Sequence, residues 1–589
     1  FKQKTAYEML RSLVGSEMCI RDRDQVVRTW DGHALTLSLI AGLLVEQYGG
    51  DVSRVDEIPL PTANEDRYQR VARVLRRYDD HLSEPERAFL MLFSLFRTPV
   101  PPSSFPKVFR AAQYLSSAEQ LEADVLEQLI GRPVEHHLDP EAVNAPLVTL
   151  GDAEFNALVA RLVAYRMLRF NEAEGHYTTH PLIRSHYYAR LLARGQQAQE
   201  SHRRAANYYL DSARSLPETP TLDELVPLIE AVYHLCQAGA YDEAENIRWS
   251  RIDQESRSLI TYVLGAWDTQ LALLLEFFPN RDPLQDPHVT TARDKAFLIN
   301  GVANCLQALG RLAEAKPLYP KVIALSLAEE SWVDCCIAHG NLAELHIASG
   351  AFAEAEEASQ EALRLSSLIT DEKRRLQRER NSVAALGWIA HLRGNLTEAS
   401  EYFLRAESLE QAVSPREKYL YSKRGENHAE HLRRIGDHEY ARRVIDANLV
   451  TCADWPDDLS HSYRILGELE AAAGDDESAR QQYNKALELA RGITLRPVLI
   501  EALTARGRWA AQRGDPVAAR SDLAEALDYA VSGGFRVYEA DIRAALAWMH
   551  LADGNPAAAR AEAEHALTMS QGMGYYWGKV DAQEVLDRI

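Results

Sequence analysis

The sequence predicts an all-α protein in which a small helical domain with one short β-hairpin precedes a superhelical array of paired helices. Two observations lead there. A pattern of glycines and small residues recurs seven times through the last three hundred residues. Elsewhere, apolar residues recur at helical rather than alternating spacing, between recognisable helix starts and stops.

The repeat is read from its turns. A glycine stands at Gly310, Gly350, Gly394, Gly436, Gly474, Gly514 and Gly554, at intervals of 38 to 44 residues. Five residues after each comes alanine: Ala315, Ala355, Ala399, Ala441, Ala479, Ala519 and Ala559. Seven before each comes a small residue: Ala303, Ala343, Gly387, Ala429, Gly467, Gly507 and Ala547. Twelve after, alanine recurs at five of the seven positions, with Val322 and Asn448 as departures. Glycine permits a sharp turn between two helices, and small side chains at fixed offsets let those helices approach closely. Segments such as 475–489 carry apolar residues on one stripe. A single hairpin cannot bury that stripe alone, so the units must stack.

These offsets resemble the tetratricopeptide family over residues 291–589, about seven repeats. The resemblance implies an α-α superhelical solenoid that binds a protein or peptide on its concave face. A period near 40 residues instead of 34 departs from the family and implies longer helices. An earlier half-match, Leu235 to Gly239 followed by Ala244, makes 196–290 a helical connector with similar hairpins. Pro279, Pro283 and Pro287 mark a joint.

Residues 65–195 follow another pattern. Ser83-Glu-Pro-Glu86 reads as a capping box with proline in the first turn. Phe89 to Phe96 is too apolar for a surface helix and belongs in a core, and the proline-rich stretch 97–106 ends it. A helix from Asp152 is followed by a hairpin, 168–171 and 176–178, and by a helix opening at Thr179-His180-Pro181. Helix, hairpin, helix of this size outlines a winged-helix domain.

Gly32-His-Ala-Leu-Thr-Leu37 resembles the GLPLAL-type lid motif of signal-transducing ATPases of the STAND class, with NB-ARC or NACHT modules. Tyr177-Thr-Thr-His-Pro-Leu-Ile-Arg184 resembles the histidine motif that ends their winged helix. The resemblance makes 24–64 the remnant of a helical lid. It gives His180 the role of contacting the β-phosphate of ADP in the resting state, and places Gly32 in the nucleotide lid. Against this, Gly32 also reads as a plain turn before a helix, and His180 as a residue that starts a helix by local hydrogen bonding. The family's motif proline is replaced by Ala34. No segment reads G-x-x-x-x-G-K-[ST], and no apolar strand ends in paired acids for Mg²⁺. The chain is therefore expected to have no catalytic residues, no metal site and no cofactor of its own. ADP or ATP with Mg²⁺ belongs to an expected full-length parent.

Composition bounds the rest. The net charge of −21 repels phosphate backbones, so nucleic acid is not an expected partner. Arg161, Arg166 and Arg169 stand where a winged helix would read DNA, but Glu154, Glu172 and Glu174 are close in sequence. Six scattered cysteines form neither a disulfide framework nor a metal site, which suggests reduced thiols in a cytoplasmic protein. The longest mostly apolar run, Ala34 to Val45, is far short of a membrane span. His136-His137 has no ligand spacing around it, and the basic run 371–380 reads as a solvated helix face or inter-repeat loop. Tyr575-Tyr576-Trp577, Trp509 and Trp548 either line a ligand pocket or fill the array core. Residues 1–23 resemble a translated sequencing-adapter read, so the natural N-terminus is expected to be lost; a genuine amphipathic helix is the other reading.

The leading expectation is the sensor portion of a STAND-class ATPase, whose array binds a trigger while the winged helix holds the ADP-bound state; the full-length parent is expected to oligomerise. A scaffold that only recruits partners, and a winged-helix transcription regulator, are the alternatives.

Overall fold

A computed structural model describes residues 34–48, 67–112 and 139–589. Residues 1–23, Gly32 and His136-His137 lie outside them. The chain divides into two compact units, Phe1–Pro220 with Glu224–Ala244, and Thr221–Asp223 with Glu245–Ile589.

In the first unit, α1 (Ala34–Tyr48), α2 (Arg67–His81) and α3 (Glu84–Phe93) precede α4 (Ala145–Val148) and α5 (Asp152–Ala164). The Glu86 carboxylate accepts from the Ser83 amide and hydroxyl, both at 2.7 Å, which starts α3 where the capping box places it. Phe89 to Phe96 is wholly buried. The Phe89 ring meets those of Phe105, Phe109 and Phe155 at centroid distances of 4.8 to 5.8 Å, so one aromatic cluster closes the core. The Tyr78 hydroxyl donates to the Leu39 carbonyl at 2.6 Å and ties α1 to α2.

The hairpin follows. Strands β1 (Arg169–Asn171) and β2 (His176–Thr178) pair antiparallel. Val100 exchanges two backbone hydrogen bonds with Tyr177, both at 2.8 Å, and so extends the hairpin on its other edge. Val100 stands in the proline-rich stretch just before Pro101, and a residue before proline favours extended backbone, which is what pairs here. Helices α6 (Pro181–Leu192), α7 (Gln196–Ser212), α8 (Leu222–Gln237) and α9 (Tyr241–Ile247) follow among the described residues.

The second unit opens with short irregular turns around α10 (Trp267–Leu274). Seven hairpins then run in register. They are α11 (Ala292–Ala308) with α12 (Leu312–Ala315) and α13 (Leu318–Ala328), α14 (Trp332–Ala348) with α15 (Phe352–Ser366), and α16 (Glu372–Arg393) with α17 (Leu396–Val413). Next come α18 (Lys423–Arg434) with α19 (His438–Thr451), and α20 (Pro456–Ala473) with α21 (Asp476–Arg491). Last come α22 (Arg496–Gln512) with α23 (Pro516–Gly533), α24 (Arg536–Ala552) with α25 (Pro556–Met573), and a final α26 (Tyr576–Leu586). The first hairpin's second arm is split at Lys316–Pro317, where proline supplies no amide to continue the helix.

All seven turn glycines have φ between 71° and 93°. All seven alanines that follow them are 0% exposed. At the crossing position seven residues earlier, a Cβ on Gly467 would stand 2.8 Å from the Tyr483 ring, and one on Gly507 2.8 Å from Leu523. Asn448 replaces alanine without a penalty, because its Oδ1 accepts from the Ser422 amide at 2.6 Å and its Nδ2 donates to Ser462 Oγ at 2.9 Å.

The array also folds back on itself. A Cβ on Gly350 would stand 2.2 Å from Met573, and one on Gly394 2.6 Å from the Tyr576 ring. Helix α14 packs on α24, and α16 on α26. The Thr494 amide donates to the Gly265 carbonyl at 2.8 Å. By contrast, a Cβ on Gly436, Gly474, Gly514 or Gly554 would meet nothing within 4 Å. The early hairpins are thus sealed against the late ones at their turns. Among the described residues no helix is long and apolar enough to cross a membrane.

Candidate functional site: the inner face of the array

The same glycine register that positions the small residues also positions a row of charges. Positions thirteen, ten and six before each turn glycine are spaced by three and four residues, which places them on one face of the hairpin's first helix. Thirteen before Gly436, Gly474, Gly514 and Gly554 stand Lys423, His461, Glu501 and Asp541. Ten before stand Glu426 and Arg464, and six before Glu344, Glu430, Glu468 and Arg508. Small residues bury the flank that faces the partner helix, so this face turns inward to the first helices of other hairpins.

The charges link hairpin to hairpin. Lys423 reaches Glu344 at 2.8 Å, and Arg433 joins Glu430 at 2.6 Å to Glu468 at 2.8 Å. Arg464 lies 3.1 Å from Glu468 and 3.4 Å from Glu501; His461 also meets Glu501, at 3.2 Å. At the end of the row Arg434 and Arg508 converge on Asp581 of α26, at 2.8 and 2.7 Å. The row is not sealed: side-chain exposure is 56% at Lys423 and 42% at Glu344, against 3% at Asp581.

Burial would raise every carboxylate here, and the neighbours decide which stay ionised. His461 and Arg464 overcome burial at Glu501 and hold it down to about 2. Arg433 and Arg434 likewise hold Glu430 well below the usual range, and Arg434 and Arg508 do so for Asp581. Asp541 goes the other way, pushed up to about 7 by burial and by the Asp581 charge, although Tyr575 donates to it at 3.2 Å.

The raised Asp541 pKa fixes a pH dependence. Its folded value lies above the unfolded one of about 4. Its stabilising contribution is therefore complete below about pH 4 and is lost as pH rises through 7. Asp541→Asn removes that loss. Its stability relative to the parent is expected to improve by about 2 kcal/mol between pH 5 and pH 8, read from urea midpoints at the two values. A pH-independent difference would contradict the assignment.

Next to this row, His391 Nδ1 faces His431 Nδ1 at 3.1 Å, Trp577 Nε1 donates to His391 at 3.3 Å, and Ser400 Oγ meets His431 Nε2 at 2.8 Å. Burial lowers both imidazoles, His431 to about 4, so the pair is neutral, with one ring donating and the other accepting. The Arg434 guanidinium lies over the Trp577 ring, 4.8 Å from its centroid. Tyr575 and Trp577, both nearly buried, thus belong to the closure between late and early hairpins.

The other expected site residues are placed as follows. His180 is exposed and caps α6, its Nδ1 accepting from the Leu182 amide at 3.2 Å. Arg161 pairs at 2.5 Å with the buried Glu86, a partner the sequence neighbours did not suggest. Arg166 and Arg169 are exposed. The basic run is mixed: Asp371 caps α16 by accepting from the Arg374 amide at 2.7 Å, whereas Arg380 is buried against Glu410 at 2.6 Å and is no solvated side chain. The five cysteines among the described residues are free and buried.

Residues 294–367, covering α11 to α15, match the family model described as Tetratricopeptide repeat. A search among curated proteins gives no match. Among solved structures, the chain is similar to the Signal Transduction ATPase with Numerous Domains protein with a tetratricopeptide repeat sensor from Pyrococcus horikoshii. The identity is 14% and the TM-score 0.34, over 100% of this chain and 72% of that one. It is also similar to the Rap conjugation gene regulator of plasmid pLS20 in complex with the Phr* peptide, at 10% identity and TM-score 0.41, over 63% of this chain and 95% of that one. Aspartyl phosphate phosphatase F from Bacillus subtilis is a third, at 11% identity and TM-score 0.30, over 83% and 93%. The chain carries tetratricopeptide repeats.

Proposed function

We propose that the array is a receptor for an extended protein or peptide segment held along its inner face, and that the chain senses this partner instead of catalysing a reaction. One observation carries the reading: charged side chains recur at these positions on α14, α18, α20, α22 and α24, and two of them, Lys423 and Glu344, are open to solvent. Stacked hairpins present such positions at regular intervals, as an extended segment presents its own side chains. A random twelve-residue peptide library selected on the full chain tests this. Binders are expected to protect the amides of α14, α18, α20 and α22 from hydrogen exchange. Protection confined to the second helices, α15, α19 and α21, would overturn the reading.

In the fuller form of this proposal, residues 65–195 are the winged helix of a STAND-class ATPase, and His180 helps hold an ADP-bound resting state. ADP, ATP and Mg²⁺ are then bound mainly by residues outside this chain. A trigger shifts such a switch only through its differential affinity for the open form. The fuller form is supported by the Tyr177–Arg184 motif and the exposed position of His180 at the start of α6. In the protein encoded by the complete gene, His180→Ala is expected to weaken ADP binding and raise basal signalling. Unchanged ADP affinity would remove the role.

A further inference from the structure

One loop of the array departs from the repeat. Between α17 and α18 run nine residues, 414–422, where the other loops between hairpins have two to five. The insertion is tied down along its length. Gln411 Nε2 donates to the Lys418 carbonyl at 3.0 Å. Leu420 is wholly buried, and a Cβ on Gly425 would stand 2.4 Å from its carbonyl oxygen, so the loop backbone lies directly on α18. Ser422, the last residue of the loop, has φ 56° and ψ −155°, a conformation that essentially only glycine adopts. Its amide donates to Asn448, the residue that replaces the repeat's alanine, and its hydroxyl donates to Asp458 at 3.0 Å. Two departures from the repeat, the insertion and Asn448, thus serve one conformation. Strain imposed by its surroundings in this way clusters at ligand clamps.

The loop frames a cavity of about 380 Å³, open to solvent and lined by Pro415, Arg416, Glu417, Tyr421, Thr451 and Trp455. Small-molecule sites occupy about 300–1,000 Å³. Two aromatic rings and a proline supply the apolar wall, and the Arg424 guanidinium lies 5.2 Å from the Tyr421 ring centroid. The lining charges are one of each sign. Glu417 Oε2 accepts from Thr451 Oγ1 at 3.3 Å, which orients the carboxylate. Arg416 is exposed and makes no ion pair with a described residue. A ligand that satisfies every wall carries a carboxylate for Arg416, an ammonium for Glu417 and an apolar body for the rings. An anion or a cation alone leaves one of the two charges facing its own sign.

We propose that this cavity binds a free amino acid with a large apolar side chain, held by both charges of its zwitterionic head. None of the lining residues belongs to the charge row, so the site stands independently of the peptide-receptor reading. Titration calorimetry on the full chain is expected to show saturable binding of L-phenylalanine. Phenylalaninamide and N-acetylphenylalanine each lack one charge and are expected to bind about tenfold more weakly. An amide that binds as tightly as the amino acid would assign the cavity to a cation, and an N-acetyl derivative that does so would assign it to a carboxylate. Either result overturns the proposal. Alanine binding as tightly as phenylalanine would remove the rings from the site and overturn it too. Arg416→Gln and Glu417→Gln alter side chains on the loop surface. Each is expected to keep the urea midpoint and to weaken phenylalanine about tenfold. Unchanged affinity in both would contradict the site. Phenylalanine is also expected to slow amide exchange at 416–422 and 451–455, and protection confined to other segments would place the ligand elsewhere. No saturable heat with phenylalanine, tyrosine, tryptophan or leucine would end the proposal.

Discussion

Asp581→Asn is expected to destabilise the array more than any other single isosteric change. Its carboxylate is shared by Arg434 at 2.8 Å and Arg508 at 2.7 Å, and its side chain is 3% exposed. Removing the charge leaves two guanidinium groups facing each other in a confined space, at a cost of about 3–5 kcal/mol. The loss would appear as a lower urea midpoint. It would also speed amide exchange in α18, α22 and α26, the three helices that the carboxylate joins. The cost comes from the stranded arginines, so a triple change to Asp581→Asn, Arg434→Met and Arg508→Met is expected to recover most of the stability. A single variant with an unchanged midpoint would contradict this account of the charge row.

The second large effect separates two roles of one residue type. Gly394 and Gly514 have the same left-handed conformation, with φ of 84° and 79°. Gly514 faces open space, whereas a Cβ on Gly394 would stand 2.6 Å from the Tyr576 ring. Gly514→Ala therefore costs only the backbone penalty, about 1–2 kcal/mol. Gly394→Ala adds an overpacking cost of about 1–3 kcal/mol, because the ring must move or the late hairpins must part from the early ones. The difference between the two urea midpoints measures the closure, and equal costs would mean that the turns do not touch α26.

These two cases also mark what the sequence could convey. The turn glycines stand out because a sharp turn demands a backbone shape that few other residues adopt, and the alanines because close helices leave no room at their crossings. Both constraints are local and repeat with the hairpin, so they survive as a period. The closure does not repeat. Arg434 and Asp581 are distant in sequence, and nothing in either segment announces the other. The charge row lay in between: Glu344, Glu430, Glu468 and Arg508 share the glycine register and were readable from it, yet charged residues taken singly are assigned to solvent.

In the first unit, the capping box at Ser83 was legible because its partners are three residues apart. The pairing of Arg161 with Glu86 was not, because it joins two helices. His180 was legible as a helix start, and its hydrogen bond to the Leu182 amide is the local interaction that such a position uses.

The claim on which the rest depends is that the array closes, bringing the turn after α14 against the end of α25. Spin labels on Ala353→Cys and Gln571→Cys, both exposed, report it directly by electron–electron distance measurement, with Cys19 replaced by serine. The buried native thiols are poor competitors for the label, since burial pushes Cys335 up to about 11 and Cys336 up to about 12. A single narrow, short distance is the predicted result. A broad distribution reaching long distances would describe an open solenoid, and would contradict the closure.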